Sequence, residues 1–328
     1  MASKIRWGVL GNAKIAREKV IPGMQKGELS VVTAIASREP EKVKEIAERL
    51  DIPTVYGSYE ALLADPNVDA IYNPLPNDLH VPWSIRAAEA GKHVLCEKPI
   101  GLSVAEAEQL IAARDRYKVK VGEAFMAKTH PQWVRSLELV KNGDLGELRA
   151  MIGIFSYFNR DAANIRNSVE KGGGALMDIG CYPVTLSRMI FEGEPLRVAS
   201  CIERDPDFGV DRLTSAILEY RQGQCVFSCG TQMAPYQRIT ILGTKAKIEI
   251  EIPFNAPPDK PTRLIFDGTR VEEFPICDQY TIQGDLFSEA IQKNGPVPVG
   301  LEDSLANMKA IEAIFRGGTS GKWEAVAG

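Results

Sequence analysis

Histidine is scarce in this chain and cysteine is scattered. The 328 residues hold three histidines (His80, His93, His130) and six cysteines, and no two cysteines form a CxxC. The nearest pair, Cys225 and Cys229, lies in a strand-like stretch, where four residues span about 13 Å, too far to share a zinc ion. No metal site is expected, and reduced cytosolic thiols are the better reading. A basic block is also missing. The net charge is −4 with no clustered Lys or Arg, so neither nucleic-acid binding nor a polybasic membrane anchor has an electrostatic footprint. No run of about 18 apolar residues occurs. The apolar stretch after Arg6 covers only Trp7 to Leu10, far too short for a signal-peptide core. The expectation is a soluble cytoplasmic protein without membrane or nucleic-acid partners.

What is present is an ordinary globular composition, 45% hydrophobic and 25% charged, in a chain too long for one hydrophobic core. Two domains are expected, 1–125 and 126–328. Through residue 125, short apolar runs alternate with helical patterns. The runs are Ile5–Leu10, Val31–Ala36, Val55-Tyr56, Ala70–Asn73, His93–Cys96 and Lys120–Phe125. The helical patterns are Lys14–Gln25, Glu39–Leu50, Tyr59–Ala64, Val81–Ala90 and Val104–Tyr117, with Ser37 and Ser103 as capping candidates. That alternation implies βαβ units and a doubly wound parallel sheet. After residue 145 the rhythm changes. Strand-like runs Glu147–Phe158, Leu196–Glu203, Leu213–Tyr220, Gln224–Met233, Arg238–Leu242 and Ala246–Ile252 follow, with Gly243-Thr244 as a hairpin turn. They predict a large, mostly antiparallel sheet in an α+β domain. Helices over Ile282–Asn294 and Ser304–Arg316 close the chain.

The first strand runs into Gly11-Asn12-Ala13-Lys14-Ile15-Ala16. Only the first position of a GxGxxG is glycine, so the motif alone is weak, and an ordinary strand–helix turn is the bland alternative. Its context raises it, because a strand feeding a helix lets backbone N–H groups and the helix dipole face a phosphate. Gly11, Asn12, Ala13 and Ile15 are therefore the cofactor-binding candidates of this turn. The second strand ends Ala36-Ser37-Arg38. A dinucleotide site for NAD carries an acid near here that bonds the ribose 2′-hydroxyl. Ser37 and Arg38 instead suit a 2′-phosphate, with a hydroxyl donor and a guanidinium fork, so NADP is expected in preference to NAD. The alternative for Arg38 is a solvated charge at a helix start. The fifth strand runs into Glu97-Lys98-Pro99, placing a lysine just beyond the carboxyl end of a parallel strand, the edge where doubly wound sheets bind ligands.

These segments resemble the Gfo/Idh/MocA oxidoreductase family. The resemblance covers nearly the whole chain. It rests on the turn at Gly11, on Asn77-Asp78-Leu79-His80, on Ala90-Gly91-Lys92-His93-Val94 leading to Glu97-Lys98-Pro99, and on the glycine-rich run Gly172 to Asp178-Ile179-Gly180. Many members carry a histidine four residues after the last Asp. Here Tyr182 stands there, which looks like the branch with glucose–fructose oxidoreductase, NADP-dependent aldose (xylose) dehydrogenases and dimeric dihydrodiol dehydrogenases. Glu123-Ala124-Phe125-Met126 and Asn164-Ile165-Arg166 resemble that branch too. The resemblance implies a Rossmann domain followed by a substrate-binding and oligomerisation domain. It implies that Lys98 and Tyr182 are catalytic and that the second sheet makes homo-oligomer contacts, in a dimer or a dimer of dimers.

The chemistry suits that pair. Oxidising a hydroxyl needs an acceptor for the O–H proton while hydride leaves for a nicotinamide. A neighbouring ammonium favours a tyrosine's phenolate. Tyr182 would accept the proton, and Lys98 would tune it and bond the reacting oxygen. An aldose oxidised at C1 would give a lactone. Asp178, one helical turn before Tyr182, is a candidate for binding a substrate hydroxyl, with helix capping as the alternative. Asn164 and Arg166 are candidate substrate contacts. Asn77, His80, Glu97 and Lys98 are candidate cofactor contacts, with support of the following helix as the alternative for His80. Glu123 is balanced between a structural bond and ligand contact, and Trp133 between core and pocket wall. Competing readings are a non-catalytic NADP- or sugar-binding sensor, a glucose–fructose-type oxidoreductase that retains its cofactor, and a ketosugar reductase.

Overall fold

The computed structural model describes residues 3–326. It separates into two units. The first runs to Thr129 and also takes in Asp278–Leu305, and the second comprises His130–Cys277 and the residues from Ala306 onward. The linear division at residue 125 assigns 278–305 to the other half of the chain.

The first unit is built on strands β1 (Ile5–Leu10), β2 (Ser30–Ala36), β3 (Thr54–Tyr56), β4 (Ala70–Asn73), β5 (His93–Glu97) and β6 (Val121–Ala124). All pair in parallel, in the order β3-β2-β1-β4-β5-β6. This is the doubly wound Rossmann order, with its switch point between β1 and β4. Crossover helices cover both faces of such a sheet, so its strands read as continuous apolar runs rather than as alternations. Five of the six β1 residues and all four of β4 are buried accordingly. Helices α2 (Glu41–Arg49), α3 (Tyr59–Leu63), α4 (His80–Glu89) and α5 (Val104–Tyr117) connect them. Ser103 caps α5, its hydroxyl accepting the Glu106 N–H.

Two local expectations are corrected. The helix expected over 14–25 is divided. Ala16–Val20 is a π-helix, and α1 (Ile21–Gln25) follows with a proline in its first turn. Pro22 has no N–H to give to the preceding turn, which disfavours a continuous α-ladder there. Ser37 does not cap α2. That helix starts after Pro40, and the Ser37 hydroxyl accepts the Glu39 N–H at 3.1 Å, within the turn before it.

The second unit opens with α6 (Pro131–Lys141), β7 (Leu148–Phe158) and α7 (Cys181–Phe191). It continues with β8 (Arg197–Arg204), β9 (Asp211–Glu219), β10 (Gln224–Gly230), β11 (Gln232–Gly243), β12 (Lys247–Ile250), β13 (Thr262–Phe266) and β14 (Arg270–Phe274). With β15 (Glu324–Ala325) these form one nine-stranded sheet, ordered β14-β13-β12-β11-β7-β10-β9-β8-β15. Every pairing is antiparallel except that of β10 with β7. The strand expected over Gln224–Met233 is in fact two. The chain leaves one side of β7 at Gly230 and returns on its other side from Gln232, with Thr231 bonding Arg212 and Asn159 between them. The hairpin turn expected at Gly243-Thr244 is present, closed by the Gly243 N–H to the Ala246 carbonyl at 3.0 Å. Strands β13 to β15 had no counterpart in the sequence reading.

One sheet face is buried. Cys225, Phe227 and Cys229 point inward from β10, while Val226 between them is 39% exposed. Helix α7 is buried almost throughout, as a helix that is apolar on nearly every side must be. Trp133 is fully buried and its indole N–H donates to the Pro253 carbonyl at 2.7 Å. It is a core residue. His130 caps α6 by accepting the Gln132 N–H.

After the sheet, α8 (Gln279–Gln292) belongs to the first unit. Its Asp285 accepts the N–H groups of Glu28 and Leu29, and its Ser288 hydroxyl accepts the Trp7 indole N–H. Helix α9 (Leu301–Ser320) follows. No helix among the described residues is long and apolar enough to cross a membrane.

Candidate active-site residues

In the first unit, parallel strands deliver the sequence-predicted residues to one sheet edge. Gly11 follows β1 directly, with φ +79°. A Cβ there would stand 2.9 Å from Leu75 and 3.3 Å from the Tyr59 hydroxyl, so this turn needs glycine for both its backbone and its space. Ala16, the last position of the motif, is buried. Asn12 carries a buried Oδ1 with no protein partner, beside the half-buried Ala13 and Ile15. Arg38 is exposed at the end of β2 and its guanidinium bonds the Tyr59 hydroxyl. Tyr59 thus ties Arg38 to the Gly11 turn. The Tyr59 ring packs edge-on against Trp83 at 4.8 Å, and Arg86 lies over Trp83 at 4.5 Å. A turn with an orphaned polar atom and a guanidinium beside it fits a dinucleotide phosphate.

His80 is placed differently from its expectation as a cofactor contact. It is 1% exposed. Its Nδ1 lies 2.7 Å from the Pro99 carbonyl and its Nε2 2.7 Å from the Leu75 carbonyl. Both nitrogens are committed to the protein's own backbone, and burial pulls its pKa down to about 4. Asn77 opens a short 3₁₀ turn, Asn77–Leu79, and is half-buried.

Lys98 follows β5 in the turn Glu97-Lys98-Pro99-Ile100. The Glu97 carboxylate accepts the Tyr72 hydroxyl at 2.6 Å. Glu123, on β6, is 3% exposed, and burial pushes its pKa up to about 7. It accepts hydrogen bonds from the Ser304 hydroxyl and the Ile100 N–H. The structural role weighed for Glu123 is thereby given a partner on the Lys98 turn.

In the second unit, the glycine run solves a packing problem. Gly172 and Gly174 have φ of +71° and +114°. A Cβ on Gly173 would stand 2.4 Å from the Arg166 carbonyl, and one on Gly174 2.0 Å from the Asp211 carboxylate. The run lets the chain pass between these groups into a π-helical turn, Leu176–Gly180, that continues as α7. No side chain of its own caps that start. Asp211, on β9, does so from 35 residues away, accepting the Leu176 N–H at 2.7 Å and the Thr214 hydroxyl at 2.8 Å. A carboxylate at a helix start satisfies an orphan N–H and opposes the helix dipole. Burial raises the Asp211 pKa to about 6.

Asp178 is not a helix cap. It accepts the Tyr157 hydroxyl at 2.6 Å and Arg166 Nε at 2.8 Å. The Asp178 carboxylate strengthens the charge of Arg166, while burial and Asp178 hold Tyr157 protonated. Tyr182 lies one turn further on, 4% exposed, with its ring edge-on to Phe155 at 5.8 Å and tilted to Phe254 at 5.4 Å. Arg166 is close enough to Tyr182 for their charges to interact. Asp178, Arg166 and Tyr182 are therefore gathered in one cluster. Asn164 instead uses its side chain locally, accepting the Arg166 N–H at 3.1 Å as the cap of a 3₁₀ turn. Sequence reasoning missed Asp211, Tyr59 and Tyr72, whose partners are distant in the chain. Tyr157 stands two residues after Phe155 on β7, and that alternation places both on the same face.

The chain matches two family models. Residues 5–125 match an oxidoreductase family with an NAD-binding Rossmann fold, and residues 133–249 match the GFO/IDH/MocA C-terminal domain. The chain belongs to the Gfo/Idh/MocA oxidoreductase family. Among relatives of this oxidoreductase is an NADP-dependent D-xylose 1-dehydrogenase of Haloferax volcanii, 38% identical with 96% of this chain and 98% of that one covered. A trans-1,2-dihydrobenzene-1,2-diol dehydrogenase of Xenopus tropicalis is 35% identical with 82% and 80% covered. Among solved structures, an aldose–aldose oxidoreductase from Caulobacter crescentus superposes with TM-score 0.90 at 28% identity, covering 98% and 99% of the two chains.

Proposed function

We propose that this Gfo/Idh/MocA oxidoreductase uses NADP to interconvert a hydroxyl and a carbonyl on a sugar or a cyclic diol, with C1 of an aldose as the leading substrate carbon. The observation that carries the reading is the cluster of the buried Tyr182 and Asp178 with the half-buried Arg166 and Tyr157 at the glycine-rich helix start. It offers a phenol beside a cation, backed by a carboxylate. In the oxidative direction Tyr182 accepts the hydroxyl proton as a phenolate, and in reverse it returns that proton to the carbonyl oxygen. The Arg166 charge favours the phenolate. Lys98 bonds the reacting oxygen through its ammonium. Asp178, ion-paired to Arg166, orients that cation and the substrate hydroxyls. NADP, when bound, takes up or supplies the hydride at its nicotinamide. Gly11 to Ile15 would hold its pyrophosphate through main-chain N–H groups, and Arg38, oriented by Tyr59, its 2′-phosphate. The names of the xylose and diol dehydrogenases support this substrate class. A 3-ketoreductase of Actinomadura kijaniata, 30% identical with TM-score 0.86, has been solved with NADP.

The second unit also carries the proposed self-association. Ile152 on β7 and Val226 on β10 are Cα partners in the ladder, and both point away from the core at 51% and 39% exposure. An apolar pair on an open sheet face suits a second copy of the chain. Initial rates of NADP reduction over aldoses, inositols and cyclic trans-diols, with NAD in parallel, test the catalytic reading. Turnover that survives Tyr182→Phe at the wild-type rate would refute the role given to the phenol. Light scattering tests the association, and a monomer at micromolar concentration would refute it.

A further inference from the structure

We propose that Glu123 is a positioning residue for Lys98, acting through the main chain of the turn that carries it. This rests on the reading of Lys98 as a catalytic residue. Lys98 sits in a four-residue turn whose other three members are each tied by a side chain from a different element. Tyr72 of β4 donates to Glu97 at 2.6 Å, His80 of α4 faces the Pro99 carbonyl at 2.7 Å, and Glu123 of β6 accepts the Ile100 N–H. With its neighbours fixed, the Lys98 side chain leaves the backbone in a defined direction.

Glu123 is the most costly of the three to place. It is a buried acid, and its Oε2 has no protein partner. It lines a small cavity together with Leu95, Phe125, Gln283, Phe287 and Val299. In these largely apolar surroundings a side chain such as Met would fill the same space without the desolvation cost of a carboxyl. It would leave the N–H of Ile100, itself fully buried, without that acceptor. The carboxyl is also well anchored at its own end. The Glu123 N–H donates to the Val299 carbonyl at 3.1 Å, Gly122 bridges to Gly300, and Ser304 donates to the side chain. The acid therefore links the Lys98 turn to the chain running into α9. Displacing a catalytic group by about 1 Å costs on the order of 100-fold in rate, so a brace two residues away has leverage on turnover without touching a ligand.

The test compares Glu123→Gln, which keeps an acceptor oxygen for Ile100, with Glu123→Met, which does not. Three quantities are read: kcat and KM with NADP and the best substrate, NADPH affinity by fluorescence, and the rate at which Lys98 is acylated by an activated ester, followed by peptide mass spectrometry. In Glu123→Met, kcat falls by about 10- to 100-fold with KM and NADPH affinity little changed. The Lys98 acylation rate shifts at least about threefold, and Glu123→Gln recovers most of both losses. If the Met variant fails to fold, Glu123→Asp, which keeps the charge but shortens the reach, is measured in the same way. A folded variant without the Ile100 contact that keeps the wild-type kcat and acylation rate overturns the proposal. Lys98→Met separates the two levels. Full activity in Lys98→Met refutes the catalytic reading of Lys98, whereas an inactive Lys98→Met beside a fully active Glu123→Met refutes only the brace.

Discussion

The two units prepare their proposed catalytic residues in different ways. In the first, Lys98 stands at the carboxyl end of a parallel strand, where topology alone collects the loops after β1, β4 and β5 on one edge. In the second, Tyr182 stands on a helix that starts over a mostly antiparallel sheet, whose topology favours no edge. There the position comes from a glycine run, a π-helical turn and an ionic cluster. Both segments are nevertheless steadied by a buried acid from a neighbouring strand that accepts a main-chain N–H, Glu123 for the first and Asp211 for the second. The parallel sheet needs its acid to refine a place already chosen. The antiparallel sheet needs its acid, and a glycine to make room for it, to create the place.

The largest expected effect separates two glycines that both lie at positive φ. Gly174→Ala meets the Asp211 carboxylate at 2.0 Å, whereas Gly91→Ala meets nothing within 4 Å. Thermal or urea unfolding is expected to show a loss of about 3 kcal/mol for the first and about 1 kcal/mol for the second, the backbone conformation alone accounting for the smaller figure. Equal losses would remove the special place of Asp211 from the comparison.

The pH dependence of Asp211 comes next. Its folded-state pKa is raised to about 6, so the folded protein holds this proton more tightly than the unfolded chain does. The sign follows from linkage. The carboxyl favours folding most below pH about 4, and that contribution is lost as pH rises through about 6. Asp211→Asn removes the titration while keeping an oxygen for Leu176. Between pH 4 and pH 7 the stability difference between the two proteins should therefore move toward the variant by roughly 2–3 kcal/mol. A difference that stays constant with pH, read by urea titrations at several pH values, would contradict the burial argument.

In the first unit, Arg38→Ala should lower kcat/KM for NADP by about 10- to 100-fold and leave NAD little changed, as expected for a lost charge-assisted bond to phosphate. Equal losses with both cofactors would place Arg38 outside the 2′-phosphate contact. The smallest effect is Ser103→Ala, about 1 kcal/mol in unfolding for the lost cap of α5, with no change in kcat.

Much of the first unit was legible because parallel strands advertise themselves. Continuous apolar runs, helices between them and Ser103 before α5 are all local signals, and the strand ends then locate Gly11, Arg38 and Lys98. His80 stayed open between ligand contact and structural support because an exposed ligand contact and a buried backbone clamp leave the same trace in sequence. In the second unit, alternation gave away β7 to β10, but β13 and β14 are only five residues each and β14 is mostly charged. The break at Thr231 is a matter of which neighbour the chain pairs with, and local pattern does not carry that. Asp211 reaches the helix start from 35 residues away, so no spacing rule points to it. Ser37 failed as a cap because Pro40 sets the start of α2, three residues later than the hydroxyl can serve.

The central claim is that Tyr182 transfers the proton in an NADP-linked oxidation. It is tested most directly by initial rates of NADP reduction with the best aldose or diol, in wild type and in Tyr182→Phe, with NADPH affinity measured in both. The account predicts a fall in kcat of about 100- to 10,000-fold, the usual worth of a positioned acid–base group, with NADPH affinity unchanged. A Tyr182→Phe enzyme that turns over at the wild-type rate would contradict it.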